Sequence, residues 1–244
     1  MVRTTDHHIL ASNHLLSALP LEERNRLLPY LESVTFTLGD VVYEPGGRME
    51  HVFFPTSSIV SLVYTTENGS TAEMALAGND GVVGVGLFLG GDTTPSRAVV
   101  QVAGGALKLR AKPLHEEFSR DGAFQQLLLR YTQALITQVS QTAVCNCLHS
   151  MEKRLCRWLL LSLDRIQSDE LPMTQEFISY MLGGRRATVT VAARHLQDEG
   201  LIRYARGHIR ILDRDGLEAT ACECYRIVRD EFERLLGPPG NRVV

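Results

Sequence analysis

The chain has 244 residues, 44% of them hydrophobic and 22% charged, with a formal net charge of −3. That composition lies far from the polar mixtures that stay disordered, and it predicts one large domain or two smaller ones with a real core. No apolar run approaches the ~20 residues that span a bilayer, and the opening stretch MVRTTDHHIL lacks the apolar segment of a secretory signal, so the expected compartment is cytoplasmic with no membrane partner.

In chain order, the first 30 residues read as a helical preface. From about Thr35 to Arg110, short runs rich in Val, Ile, Phe, Tyr and Thr fall at 41–43, 51–54, 59–64, 72–76 and 99–102. Turn signals punctuate them, among them Pro45-Gly46-Gly47, Asn68-Gly69, Gly90-Gly91-Asp92 and Gly104-Gly105. Many short strands with no helical pattern between them predict a jelly-roll-like β-roll. After Pro113 the pattern turns helical. A helix over 121–147 would be ~40 Å long, and Leu128, Tyr131, Leu135 and Val139 recur along it at spacings of three and four. That stripe can pair with its copy in a second chain, making this a dimerisation helix, or lie against the roll. Leu148-His149-Ser150 reads as a hinge, with Ser150 as N-cap of a second helix over 151–166. The expected class is α+β in three parts: a roll with its N-terminal helices over 1–120, the long helix over 121–148, and a final domain over 149–244.

Only residues 171–212 are basic on balance, with Arg185, Arg186, Arg194, Arg203, Arg206 and Arg210 set against Glu176, Asp198 and Glu199. Thr174 can cap a helix running to about Leu182, and Gly183-Gly184 ends it. A second helix to Glu199 has Val189, Ala192, Ala193 and Leu196 at core spacing. Two short helices joined by a glycine turn are the geometry that lays the second in a DNA major groove. Its other face offers Arg185, Arg186, Thr190 and Arg194, with Thr188 beside them. Arginine can grip guanine bidentately, threonine can meet a base edge or a phosphate, and the first-turn amides attract a phosphate. Two strands about Arg206-Gly207 then form a basic wing, adding Arg206 and His208 to the expected DNA contacts. A solvated helix face would mix its signs, whereas this one stays basic from Arg185 to Arg194. Together with Thr174, these residues make double-stranded DNA the expected partner.

The five cysteines are Cys145, Cys147, Cys156, Cys222 and Cys224. Neither Cys-x-Cys pair has the two-residue spacing of a zinc knuckle, and no His-x-x-x-His follows, so the thiols are expected to be buried or idle and no metal site is assigned. An iron–sulfur sensor in the roll would need thiols there, and residues 1–144 contain none. No nucleophile–base pair, paired carboxylates or phosphate loop emerges, so no catalytic residue is assigned and the chain is read as a non-enzyme.

This order of parts resembles the Crp/Fnr superfamily of bacterial transcription regulators over nearly the whole chain, most specifically from Thr174 to Ile211. The resemblance implies a homodimer, a pseudo-palindromic DNA site, RNA polymerase as a further partner, and a base-reading role for Arg186. Ala187 and Val191 stand where a glutamate and a later arginine occur in such regulators, so the usual operator is not implied. In the roll, the stretch matching a cyclic-nucleotide site is Gly81-Val-Val-Gly84-Val85-Gly86-Leu-Phe-Leu-Gly90, followed by Ser96-Arg97-Ala98. Val85 replaces the ribose-binding glutamate while Arg97 remains to meet a phosphate, which implies a small-molecule or cyclic-nucleotide-like effector, with cyclic AMP doubtful. A different reading is a ligand-binding or protein-docking sensor that keeps the winged fold without reading DNA.

Overall fold

A computed structural model describes residues 10–166 and 168–237, so the first nine residues of the helical preface lie outside the described residues. Two short helices, α1 (His14–Ser17) and α2 (Leu21–Leu27), precede the roll. Asn13 anchors this corner. Its buried side chain caps α1 by accepting from the amides of Leu15 and Leu16, and donates to the carbonyls of Pro55 at 2.8 Å and Gly81 at 3.0 Å.

The roll is two antiparallel sheets. One has the order β1 (Leu31–Phe36), β7 (Gly104–Arg110), β3 (His51–Pro55); the other has the order β2 (Val41–Tyr43), β6 (Arg97–Val102), β4 (Ile59–Thr65), β5 (Thr71–Ala77). Gly104-Gly105, expected as a turn, instead opens strand β7, where both residues pair with β1. A Cβ on Gly104 would stand 2.6 Å from the backbone carbon of Ser57, so the glycine is there for close backbone approach rather than for a bend.

Helix α3 (Ala111–Phe118) leads into the long helix α4 (Ala123–Leu148). Leu128, Tyr131 and Leu135 are buried within their own chain and Val139 is half-buried. The stripe expected to pair two chains therefore faces inward, where Tyr131 meets the ring of Phe232 edge-on at 6.2 Å. Gln138, on the same face, accepts from the Leu76 amide at 2.8 Å and closes part of the free edge of β5. The large apolar residues that α4 leaves exposed are Leu129, Ile136 and Val144, with Leu148 at its very end.

Helix α5 (Met151–Leu163) starts at Ser150, whose hydroxyl accepts from the Lys153 amide. From Leu155 to Leu163 every side chain is buried, as befits a helix covered on all sides. Two of its polar side chains and one just past its end are met by the roll: Trp158 Nε1 donates to Glu73 at 2.9 Å, Ser162 Oγ accepts from Gln101 at 2.8 Å, and Arg165 pairs with Asp80 at 2.8 Å. The last part contains β8 (Glu170–Pro172), α6 (Gln175–Met181), α7 (Arg186–Asp198), β9 (Ile202–Ala205), β10 (His208–Ile211), α8 (Arg214–Thr220) and α9 (Glu223–Leu236). Helix α9 packs along α4. That return brings together cysteines far apart in sequence: Cys145, Cys222 and Cys224 are buried, as expected, but they form one cluster beside His149, which their spacing did not indicate.

Burial pushes the Glu73 carboxyl up from 4.5 to about 7, against the opposing pull of Ser61, Arg157 and Trp158. The unfolded chain ionises this acid near its ordinary value, while the folded chain keeps the proton. Glu73 therefore costs stability as pH rises between those two values, by up to ~3 kcal/mol. Replacing Glu73 with Gln is expected to flatten that slope, checked by denaturant melts at about pH 5 and about pH 7.5; an unchanged slope would contradict it.

Candidate nucleic-acid interface

Thr174 lies in extended backbone and its hydroxyl accepts from the Phe177 amide at 3.1 Å, capping α6. Ile178, Met181 and Leu182 are buried beneath that helix. The turn follows at once. Gly183 has φ +58, a left-handed conformation that favours glycine, and a Cβ there would lie 3.1 Å from Ala72 of the roll. The chain then enters α7 with Val189, Ala192, Ala193 and Leu196 buried, and the small residues of that stripe permit a tight approach to the helices beneath.

No side chain caps the first turn of α7, so its amide end, with the positive end of the helix dipole, is available to an anion. Arg185 and Arg186 sit at this end. Both are exposed, and among the described residues no carboxylate lies within 4.0 Å of either guanidinium. Thr188 is exposed beside them. Arg194 is exposed further along and makes only a loose contact of 3.8 Å with Asp198. The outermost line of the helix, at spacings of four and three, is Ala187, Val191 and Arg194. Val191 is 55% exposed, a reading-face apolar residue that a search for cations passes over.

Two expected contacts are engaged inside the chain. The Thr190 hydroxyl is half-buried and donates to Gln175 Oε1 at 2.8 Å and to the Arg186 carbonyl at 2.9 Å, so it ties α7 to α6 rather than standing free. His208 Nδ1 lies 3.0 Å from Glu170, which also takes Arg210 at 2.9 Å. The wing is three-stranded, because β8 pairs with β10 on the side away from β9. Arg206 and Gly207 form its two-residue tip with φ +50 and +78, the turn whose twist suits a tight hairpin. Glycine meets that requirement readily; arginine meets it with strain and holds its side chain out at the tip.

In the roll, Gly84 has φ +99 and Val85 starts a single helical turn, Val85–Leu87, which includes Gly86. Ser96 bonds with Thr94, and Ala98 is fully buried. Arg97 is already paired within the chain: its exposed guanidinium takes Glu44 bidentately at 2.7 and 3.0 Å. A cleft of about 710 Å³ lies elsewhere on the roll, with Arg48, His51, Arg110, Lys112 and His115 facing Asp92 and Glu50. None of the six expected effector residues lines it, although Leu87 and Gly90 of the stretch matched to a cyclic-nucleotide site do, and its other walls come from separate segments of the chain. Among the described residues no helix is long and apolar enough to cross a membrane.

Two family models match the chain: a cyclic nucleotide-binding domain over residues 33–121 and a Crp-like helix-turn-helix domain over residues 153–220. Together they take in well over half of it. The chain is 26% identical over 198 residues to the transcriptional regulator SdrP of Thermus thermophilus, covering 78% of this chain and 94% of that one. Among solved structures, a CRP/FNR-family transcriptional regulator from Thermus thermophilus superposes with a TM-score of 0.63 at 23% identity, covering 78% of this chain and 98% of that one. FixK2 from Bradyrhizobium japonicum superposes with a TM-score of 0.65 at 15% identity, covering 79% and 98%. With a roll, a long helix and a winged helix-turn-helix in this order, and with both domain models matched in their places, the chain belongs to the Crp/Fnr family of DNA-binding transcription regulators.

Proposed function

We propose that two copies of the chain read a pseudo-palindromic DNA site, each placing α7 in a major groove and the wing against the adjoining backbone. One observation carries this reading: Arg185 and Arg186 stand exposed and, among the described residues, without a carboxylate partner at the uncapped start of a helix set behind a glycine bend. A positive helix end bearing two unneutralised guanidinium groups is suited to a polyanion. Arg186 reads a base edge, Arg185 and the first-turn amides take a phosphate, Val191 meets a thymine methyl, and Arg206 takes a phosphate from the wing tip. Thr190 supports the reading helix from within.

The two copies pair along the face of α4 that the chain itself leaves open, Leu129, Ile136 and Val144. The inward stripe is already occupied by the roll and α9. Pairing there sets the two α7 helices about one DNA turn apart, ~34 Å. The roll senses a small molecule. The bidentate hold of Glu44 on Arg97 opposes a phosphate at that position, and Val85 offers no acceptor for ribose hydroxyls, so cyclic AMP is disfavoured as that molecule.

Arg186→Ala is expected to weaken binding to a selected palindrome by ~1 to 3 kcal/mol and to relax one base position, whereas Arg206→Ala should weaken binding to all sequences alike and lower the salt slope by about one. Fluorescence anisotropy against selected and random duplexes separates the two, and equal affinity of Arg186→Ala and the parent would overturn the base-reading role. Ile136→Glu is expected to convert dimer to monomer in sedimentation with little change in melting temperature, because the residue is 61% exposed; an intact dimer would refute the outward seam.

A further inference from the structure

Four side chains that DNA reading does not use meet where the long helix ends and the last helix begins. Cys145 lies in the last turn of α4 and His149 is the residue on which that helix closes. Cys222 is the N-cap of α9 and Cys224 lies in its first turn. Cys145 Sγ is 3.5 Å from Cys222 Sγ, Cys224 Sγ is 3.6 Å from His149 Nδ1, and the four donor atoms all lie within 4.8 Å of one another. The three cysteines are buried and His149 is partly so.

We propose that Cys145, His149, Cys222 and Cys224 bind one tetrahedral zinc ion, a structural site of three thiolates and one imidazole that fastens the hinge to α9. With metal–sulfur bonds of ~2.3 Å and metal–nitrogen bonds of ~2.0 Å, donors on a tetrahedron stand roughly 3.5 to 3.8 Å apart, close to the separations seen. A body of several irons would need its thiolates spread more widely. A disulfide between Cys145 and Cys222 would require their sulfurs to close to ~2.05 Å and would leave Cys224 and His149 without a role.

The surroundings fit the same ion. His149 presents Nδ1 to the sulfurs while its Nε2 faces Glu223 Oε1 at 3.5 Å, the arrangement in which a carboxylate orients a metal-bound imidazole. Arg157 is 4% exposed, donates to Thr142 Oγ1 at 3.1 Å, and has no carboxylate within 4.0 Å among the described residues. A buried unpaired cation is costly. Three thiolates on a divalent ion would carry a net charge of −1, opposite in sign to this guanidinium. Metal binding would release the thiol protons and leave the cysteines as ligands. Because the ligands come from both sides of Leu148-His149-Ser150, the ion would limit how far the reading domain swings from the long helix.

The test uses the full chain, freed of any histidine tag, dialysed and analysed by plasma mass spectrometry. About one zinc per chain is expected. Cys224→Ser and His149→Ala should lose most of it, whereas Cys147→Ser, exposed on the same helix and outside the cluster, should keep it. Because a ligand variant can fail to fold, a second arm uses the unaltered sequence: chelation should lower its melting temperature by about 5 °C or more, and cobalt reloading should give thiolate charge-transfer bands and the visible bands of a tetrahedral centre. Absence of metal together with no cobalt spectrum, iron in place of zinc, a Cys145–Cys222 disulfide in the unreduced protein, or equal loss from Cys147→Ser would each overturn the proposal. None of these readouts involves DNA, so they stand or fall apart from the DNA-reading role.

Discussion

The burial of α5 on all sides is the constraint on which the arrangement of the other parts depends. Nine consecutive side chains, Leu155 to Leu163, are buried, so this helix is one layer shared by the roll and the reading domain. Burying polar groups in such a place is costly, since each unsatisfied one would cost ~1 to 3 kcal/mol. Trp158, Ser162 and the adjoining Arg165 are each answered by a roll residue, Glu73, Gln101 and Asp80. Helix α7 packs on α5 in turn. A reorientation of the reading helix relative to the roll must therefore either carry α5 along or exchange these three polar contacts for others. Any such reorientation therefore has a short physical route through named groups.

Charge on the reading domain is sorted by position rather than by amount. Arg210 is held by Glu170, and Arg214 by Asp164 and Glu218. Arg185, Arg186, Arg203 and Arg206 are exposed and have no carboxylate within 4.0 Å among the described residues. A chain with net charge −3 thus presents a locally positive surface where α7 and the wing emerge. The acidic balance elsewhere helps to orient the molecule toward a phosphate backbone by that surface.

The parts built from local pattern were legible in the amino-acid sequence. Val189, Ala192, Ala193 and Leu196 declare the buried side of α7 by spacing alone, and Gly183-Gly184 declares the turn before it. What depended on a distant partner was not legible. Helix α4 is apolar on two sides, so periodicity identified Leu128, Tyr131 and Leu135 as a stripe but could not tell which surface would cover it. Thr190 looked like a DNA contact until Gln175 of the neighbouring helix claimed its hydroxyl, and Arg97 looked like a phosphate ligand until Glu44 of the neighbouring strand engaged it. The cysteine cluster was hidden most completely. Its members lie 77 residues apart, at Cys145 and Cys222, and the two-residue spacing that signals a metal knuckle occurs in neither pair.

A cationic helix that enters DNA from behind a glycine bend, as one of a symmetric pair, must leave a symmetric footprint. Hydroxyl-radical footprinting of the full chain on a duplex chosen by repeated selection tests this most directly. Two protected patches are predicted on one face of the duplex, centred about one turn, ~34 Å, apart and related by a two-fold axis. Recovery of no preferred sequence, with protection spread evenly along the duplex at low salt only, would contradict it.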